Sequence, residues 1–147
     1  TQGGVALLLP DSTRTANDAS ILHYHRSNFG ILRVTGTGNQ VITHGLGRMP
    51  TLITIDAVTY ASTAQIFKSV GSATSTTNSQ GISWSNGDVA TENYAAFATS
   101  SVLYARDTGN TTLLDGVISA MSVTTFTLNV TTKSASVDDI LIHWTTQ

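Results

Sequence analysis

The sequence predicts an all-β protein, an antiparallel sandwich or barrel with a β-sandwich (a jelly roll or a related type) as the leading form, and three observations carry that expectation. No stretch repeats its apolar residues at the helical period, whereas short runs rich in Val, Ile, Thr and aromatics are separated by Gly, Asn, Asp and Ser clusters. Strong helix formers other than Ala and Leu are scarce: Glu92 is the one glutamate and Lys68 and Lys133 are the two lysines. The last third alternates cleanly, with Phe126, Leu128 and Val130 on one face of a strand and Thr125, Thr127 and Asn129 on the other.

Taken in order, residues 1–20 read as an N-terminal arm and 21–147 as a single sandwich domain. Val5, Leu7, Leu8 and Leu9 form a short apolar run that ends at Pro10-Asp11-Ser12, and it must bury both faces. It is either an edge strand of the domain or an arm that docks on a neighbouring subunit. Ile21–His25 and Ile31–Thr35 are strand candidates joined by a turn over Arg26-Ser27-Asn28-Phe29-Gly30. A second turn, Thr35 to Asn39, leads into Gln40–Thr43.

Val41–Ile55 is the organising stretch: a strand, the turn His44-Gly45-Leu46-Gly47, then Pro50 ahead of a β-forming run. Gly45 and Gly47 can take positive φ, and Pro50 fixes φ and lacks an N–H, which suits the start of a strand. His44, Gly45, Gly47 and Pro50 are therefore expected to build a structural corner, with the His44 ring bonded to backbone. On this reading Gly47→Val impairs folding and His44→Ala leaves the fold largely intact.

The next strand runs from Thr51 towards Tyr60, followed by Gln65–Val70 and an exposed Ser/Thr/Asn loop from Gly71 to Gln80. Gly81–Ser85 alternates and meets Asn86-Gly87, a strong hairpin signal. Tyr94–Phe97 and Val102–Tyr104 are strands, with a brief helical turn conceivable at Ala95-Ala96, and Asp107 to Asn110 is a turn. Leu113–Ala120, Val123–Val130 and Asp139–Thr145 complete the chain, with Ile140, Ile142 and Trp144 sharing a face. Trp84, Tyr94, Tyr104 and Trp144 are expected mostly in the core.

The 147 residues suffice for one domain with a core of its own. A net charge of −2 supplies no basic field for nucleic acid, and no apolar run approaches a membrane span. Charged residues are 11% of the chain, against about 25% in ordinary domains, which points to surface held against other subunits. The absence of cysteine excludes disulfides and thiolate metal sites. Thr1 fits either loss of an initiator Met or cleavage from a precursor.

Catalytic constellations are not found. There is no G-x-S-x-G, no Cys nucleophile and no phosphate loop, and Gly36-Thr37-Gly38 lacks the third glycine and the helix of a dinucleotide site. Asp88 and Glu92 lie in a polar loop, and Asp107, Asp115, Asp138 and Asp139 lack calcium-loop spacing. The expectation is a non-enzymatic protein with no cofactor. His23 and His25 would project from one strand face, and three copies about an axis would then offer six imidazole nitrogens to a transition metal.

Two family resemblances follow from these residues. Val41–Pro50 resembles V-x-x-H-G-L-G-x-x-P, a pattern of bacteriophage virion and tail proteins. Pro50–Ile55, Val117–Leu128 and Ile140–Trp144 are similar to strands of the H-type lectin sandwich. The resemblance implies a homotrimer located on the virion, decorating the capsid or forming part of a tail fibre or collar, with other virion proteins as partners. Trimeric phage fibres also use an H-x-H of the His23/His25 kind. The lectin likeness implies a carbohydrate-binding alternative, with a host surface glycan contacted by His143 and Trp144.

Overall fold

The computed structural model describes residues 28–61, 65–86, 94–107 and 109–147. The arm residues Val5, Leu7, Leu8 and Leu9, the strand candidate Ile21–His25 and the pair His23/His25 lie outside the described residues, as does the Gly87 half of the Asn86-Gly87 signal.

Among the described residues ten strands follow one another: β1 (Asn28–Val34), β2 (Gly38–Thr43), β3 (Ile53–Ala61), β4 (Gln65–Ala73), β5 (Ser79–Asn86), β6 (Tyr94–Ala98), β7 (Leu103–Arg106), β8 (Thr112–Met121), β9 (Thr125–Lys133) and β10 (Ile140–Thr146). They form a six-stranded sheet in the order β1-β10-β3-β4-β5-β6 and a four-stranded sheet in the order β2-β9-β8-β7. Pairings within both sheets are antiparallel, so the fold is the expected all-β sandwich.

The core lies where period-2 alternation sends large side chains inward. Ile53, Ile55, Ile140, Ile142 and Trp144 from the large sheet meet Phe126, Leu128, Val130, Leu114 and Ile118 from the small one. Trp144 stands edge-on to Phe126 with ring centroids 5.5 Å apart, the geometry favoured by opposed ring quadrupoles. Its indole also lies across Gly30, at a position where any Cβ would collide with the ring.

The inner face of the large sheet is not uniform. Beyond the buried Phe67, Gly71 pairs with Gly81 and Ser69 with Ser83, so the inward side chains are small over that part of β4 and β5. The connection from β6 to β7 crosses to the other sheet there: a Cβ on Gly71 would fall on the Val102 backbone, and one on Gly81 would sit 2.7 Å from the Ser101 carbonyl oxygen. Val102 N–H donates to the Gly116 carbonyl at 2.9 Å, and the free edge of β7 is capped by Ser69, whose Oγ accepts from Tyr104 N–H at 3.0 Å. The larger sheet thus covers an edge that would otherwise present unpaired backbone.

Several boundaries differ from the expectation. Asn28, Phe29 and Gly30 belong to β1 and not to a turn. The loop expected over 71–80 shrinks to 74–78, because β4 continues to Ala73 and β5 begins at Ser79. A Ser/Thr/Gly run reads as loop by composition, yet here its small residues are what the crossing chain requires on the inner face. Ala95 and Ala96 lie in β6, not in a helical turn.

Candidate functional site

The turn after β2 carries the chain from the edge of the small sheet into β3, an interior strand of the large one. His44 is 4% exposed and holds this corner together. Its backbone N–H donates to the Thr124 carbonyl at 2.9 Å, extending the β2–β9 pairing by one step. One ring nitrogen, Nδ1, accepts from Leu46 N–H at 3.4 Å, so the proton resides on Nε2, which donates to the Ser122 carbonyl at 3.2 Å. The ring stacks on Phe126 at 6.5 Å between centroids. Leu46 is buried under the same turn.

Gly47 takes φ +70°, the left-handed region, whereas Gly45 does not. What Gly45 accommodates is the Asn28 side chain, which lies where its Cβ would be. Pro50 is buried, and beyond it Thr51 N–H donates to the Gln147 carbonyl at 2.7 Å and Gln147 N–H to the Leu52 carbonyl at 3.0 Å. The backbone N–H and both ring nitrogens of His44 are bonded to backbone of its own chain, so the corner is a structural joint. Because His44 is buried in this joint, the structure leads to a different expectation from the sequence, namely that His44→Ala costs stability.

His143 and Trp144, expected as joint sugar contacts, alternate to opposite faces of β10: His143 is exposed and Trp144 belongs to the core. They border a shallow depression of about 510 Å³ with Phe29, Gly30, Ile31 and Thr145. No group of three or more His, Cys, Asp or Glu side chains converges among the described residues. The acidic residues are dispersed: Asp107 accepts from Thr111 N–H at 2.7 Å, Asp139 pairs with Arg33, Asp138 is exposed, and Asp115 lies in β8 opposite Tyr104.

The unexpected feature is the outer face of the six-stranded sheet. The register lays out one row as Ile31, His143, Asp56, Val70, Ile82 and Phe97, one residue per strand. The adjoining row is Arg33, Leu141, Val58, Lys68, Trp84 and Ala95. Phe29 is 79% exposed, Phe97 77% and Trp84 42%, with Ile31, Ile82 and Leu141 also open to solvent. A groove of about 430 Å³ runs between Thr54, Val70, Ser72, Gln80, Ile82 and Phe97. The charges on the face among the described residues are paired: Arg33 with Asp139, and Lys68 with Asp56 at 3.5 Å.

Strand β5 is inside-out. Ser79, Gly81, Ser83 and Ser85 point into the sandwich, and Ile82 and Trp84 point out of it. Trp84 was expected in the core; it stands instead on the surface beside the Lys68 ammonium, 5.8 Å from its ring centroid. The alternation of 81–85 was legible in the sequence, but its polarity was not, because alternation alone cannot say which face looks inward. Gly71 and Gly81 mark a close backbone approach, but that becomes visible only once β4 and β5 are paired in register.

Comparison of the chain with protein-family models, curated proteins and solved structures finds no match, so the account of the outer face rests on the chain's own geometry.

Proposed function

We propose that this chain is a non-enzymatic structural subunit of a bacteriophage particle, a homotrimeric assembly module that decorates the capsid or forms part of a tail fibre or collar. The observation that carries the assembly role is the outer face of the six-stranded sheet, where Phe29, Ile31, Ile82 and Phe97 stand in water with their paired strands. So much exposed apolar surface on one sheet face costs solubility unless a partner covers it. The inside-out pattern of β5 supports the same reading, since a strand that served only its own core would turn Ile82 and Trp84 inward and the serines outward. The low charge of the chain fits a surface held against neighbours. The particle itself is suggested by the resemblance of Val41–Pro50 to the virion and tail pattern.

The mechanism is association by burial of apolar area, with the His44 corner holding the two sheets in register behind the contact face. Ser69, Ser79, Ser83 and Ser85 are spent on the inner side, so the outer face is left to apolar side chains. The test is mass spectrometry and immunogold labelling of particles purified from the source that encodes the chain. The reading expects the chain at a fixed, multi-copy stoichiometry on the particle. Its absence from purified particles contradicts the reading. Reproducible binding on a glycan array, lost on Trp84→Ala or Phe97→Ala, would assign the face to a sugar.

A further inference from the structure

We propose that the outer face of the six-stranded sheet is covered by a second copy of this chain, with the β1–β10 wing of one copy lying on the β5–β6 wing of the next. The inference deepens the proposed function and rests on the reading of this face as an assembly surface.

Area selects the size of the partner. Eight large apolar side chains on the face are exposed, each by between 39% and 79% of its surface. At roughly 200 Å² per large side chain they present on the order of 800–900 Å². This exceeds the roughly 300–600 Å² of the largest patch on an ordinary monomer. It matches the roughly 800 Å² that one partner contributes to a standard protein–protein interface.

Charge selects its chemistry. Among its described residues the face carries two cations and two anions, and they neutralise one another as Arg33–Asp139 and Lys68–Asp56. A surface without net field does not recruit an anionic membrane, a nucleic acid or a strongly charged protein. It does accept a copy of itself, whose own ions are equally balanced.

The layout selects the pairing. Phe29, Ile31 and Leu141 form one apolar wing, and Ile82, Trp84 and Phe97 form the other. Between them, β3 and β4 present Asp56, Lys68, Thr54 and Ser72. From β1 to β6 is five inter-strand steps, or roughly 24 Å at about 4.8 Å each. A contact of like wings at one edge would leave the other wing in water. Contact of unlike wings buries both: face to face about an axis along the strands it spends the whole area on one partner, and head to tail in a closed ring it divides the area between two neighbours, roughly 400 Å² to each. Because Ile31 and Phe97 occupy the same cross-sheet row, this arrangement sets Ile31 of one copy over Phe97 of the next.

The chain has no cysteine, so single thiols can be placed without background. Ile31→Cys and Phe97→Cys, both at exposed positions, are purified separately as full-length chains, mixed in equal amounts and treated with a bis-maleimide. A spacer of about 10 Å suits the spacing of packed sheets. The expected result is a linked dimer containing one of each variant as the main product, while either variant alone stays largely unlinked and Trp84→Asp in both abolishes the product. Equal linking of each variant to itself would overturn the pairing. So would a monomeric chain with no link, or one in which Leu8→Cys joins Phe97→Cys within a single molecule and so gives the face to the arm. A mixed link from a chain that is absent from particles would leave the contact standing and remove the virion reading. Presence on particles without the link would do the opposite.

Discussion

His44 has both ring nitrogens committed to backbone, to Leu46 N–H and to the Ser122 carbonyl, and its ring face lies on Phe126. Truncation leaves a buried N–H and a carbonyl without partners and opens a cavity beside Phe126. His44→Ala is therefore expected to lower unfolding free energy by about 2–4 kcal/mol in a denaturant titration. Gly47→Val places a β-branched side chain at positive φ in an exposed turn, for a loss of roughly 1–2 kcal/mol. A His44→Ala variant as stable as the parent would refute the joint. Gly71 provides the sharper contrast. Gly71→Ala drives a methyl into the Val102 backbone, which cannot swing aside, whereas Gly36→Ala meets open space. The expected outcome is a melting temperature lowered by many degrees for Gly71→Ala and unchanged within a degree or two for Gly36→Ala.

At the scale of the element, β5 sets the account apart from an ordinary sandwich. Ile82→Ser removes an outward apolar side chain and is expected to change the stability of the isolated subunit by less than about 0.5 kcal/mol. Ser83→Ile forces a larger side chain inward against β7 and is expected to cost roughly 1–3 kcal/mol. Equilibrium unfolding of both variants at low concentration checks the ranking, and the reverse order would mean that the faces of β5 have been assigned backwards. Strands β9 and β10 were readable from the sequence because their apolar residues, Phe126, Leu128 and Val130, then Ile140, Ile142 and Trp144, all face the one core. β1 was clipped because Gly30 suggests a turn, when its missing Cβ makes room for the Trp144 indole. β4 and β5 were shortened because Ser72, Ala73, Ser79 and Gln80 lack an apolar rhythm; their spacing answers to the backbone crossing at Ser101-Val102, a long-range contact that no local pattern announces.

For the whole molecule, the corner at His44 and the crossing over Gly71 bind two sheets into one body, and that body leaves one face dry-seeking and open. The His44 corner was visible in the sequence as a strand, a Gly-bracketed turn and a proline. The open face was not, because it exists only once six strands from β1 to β6 are brought side by side in register. Covering that face couples stability to association, so the melting temperature is expected to rise with protein concentration. A denaturation midpoint independent of concentration across a hundredfold range would separate folding from assembly. The most direct measurement is sedimentation equilibrium of the full chain beside the double variant Ile82→Ser/Phe97→Ser. The account predicts a reversible oligomer for the parent, three copies on the trimer reading, and a folded monomer for the variant. A parent that sediments as a monomer at every concentration, indistinguishable from the variant, would contradict it.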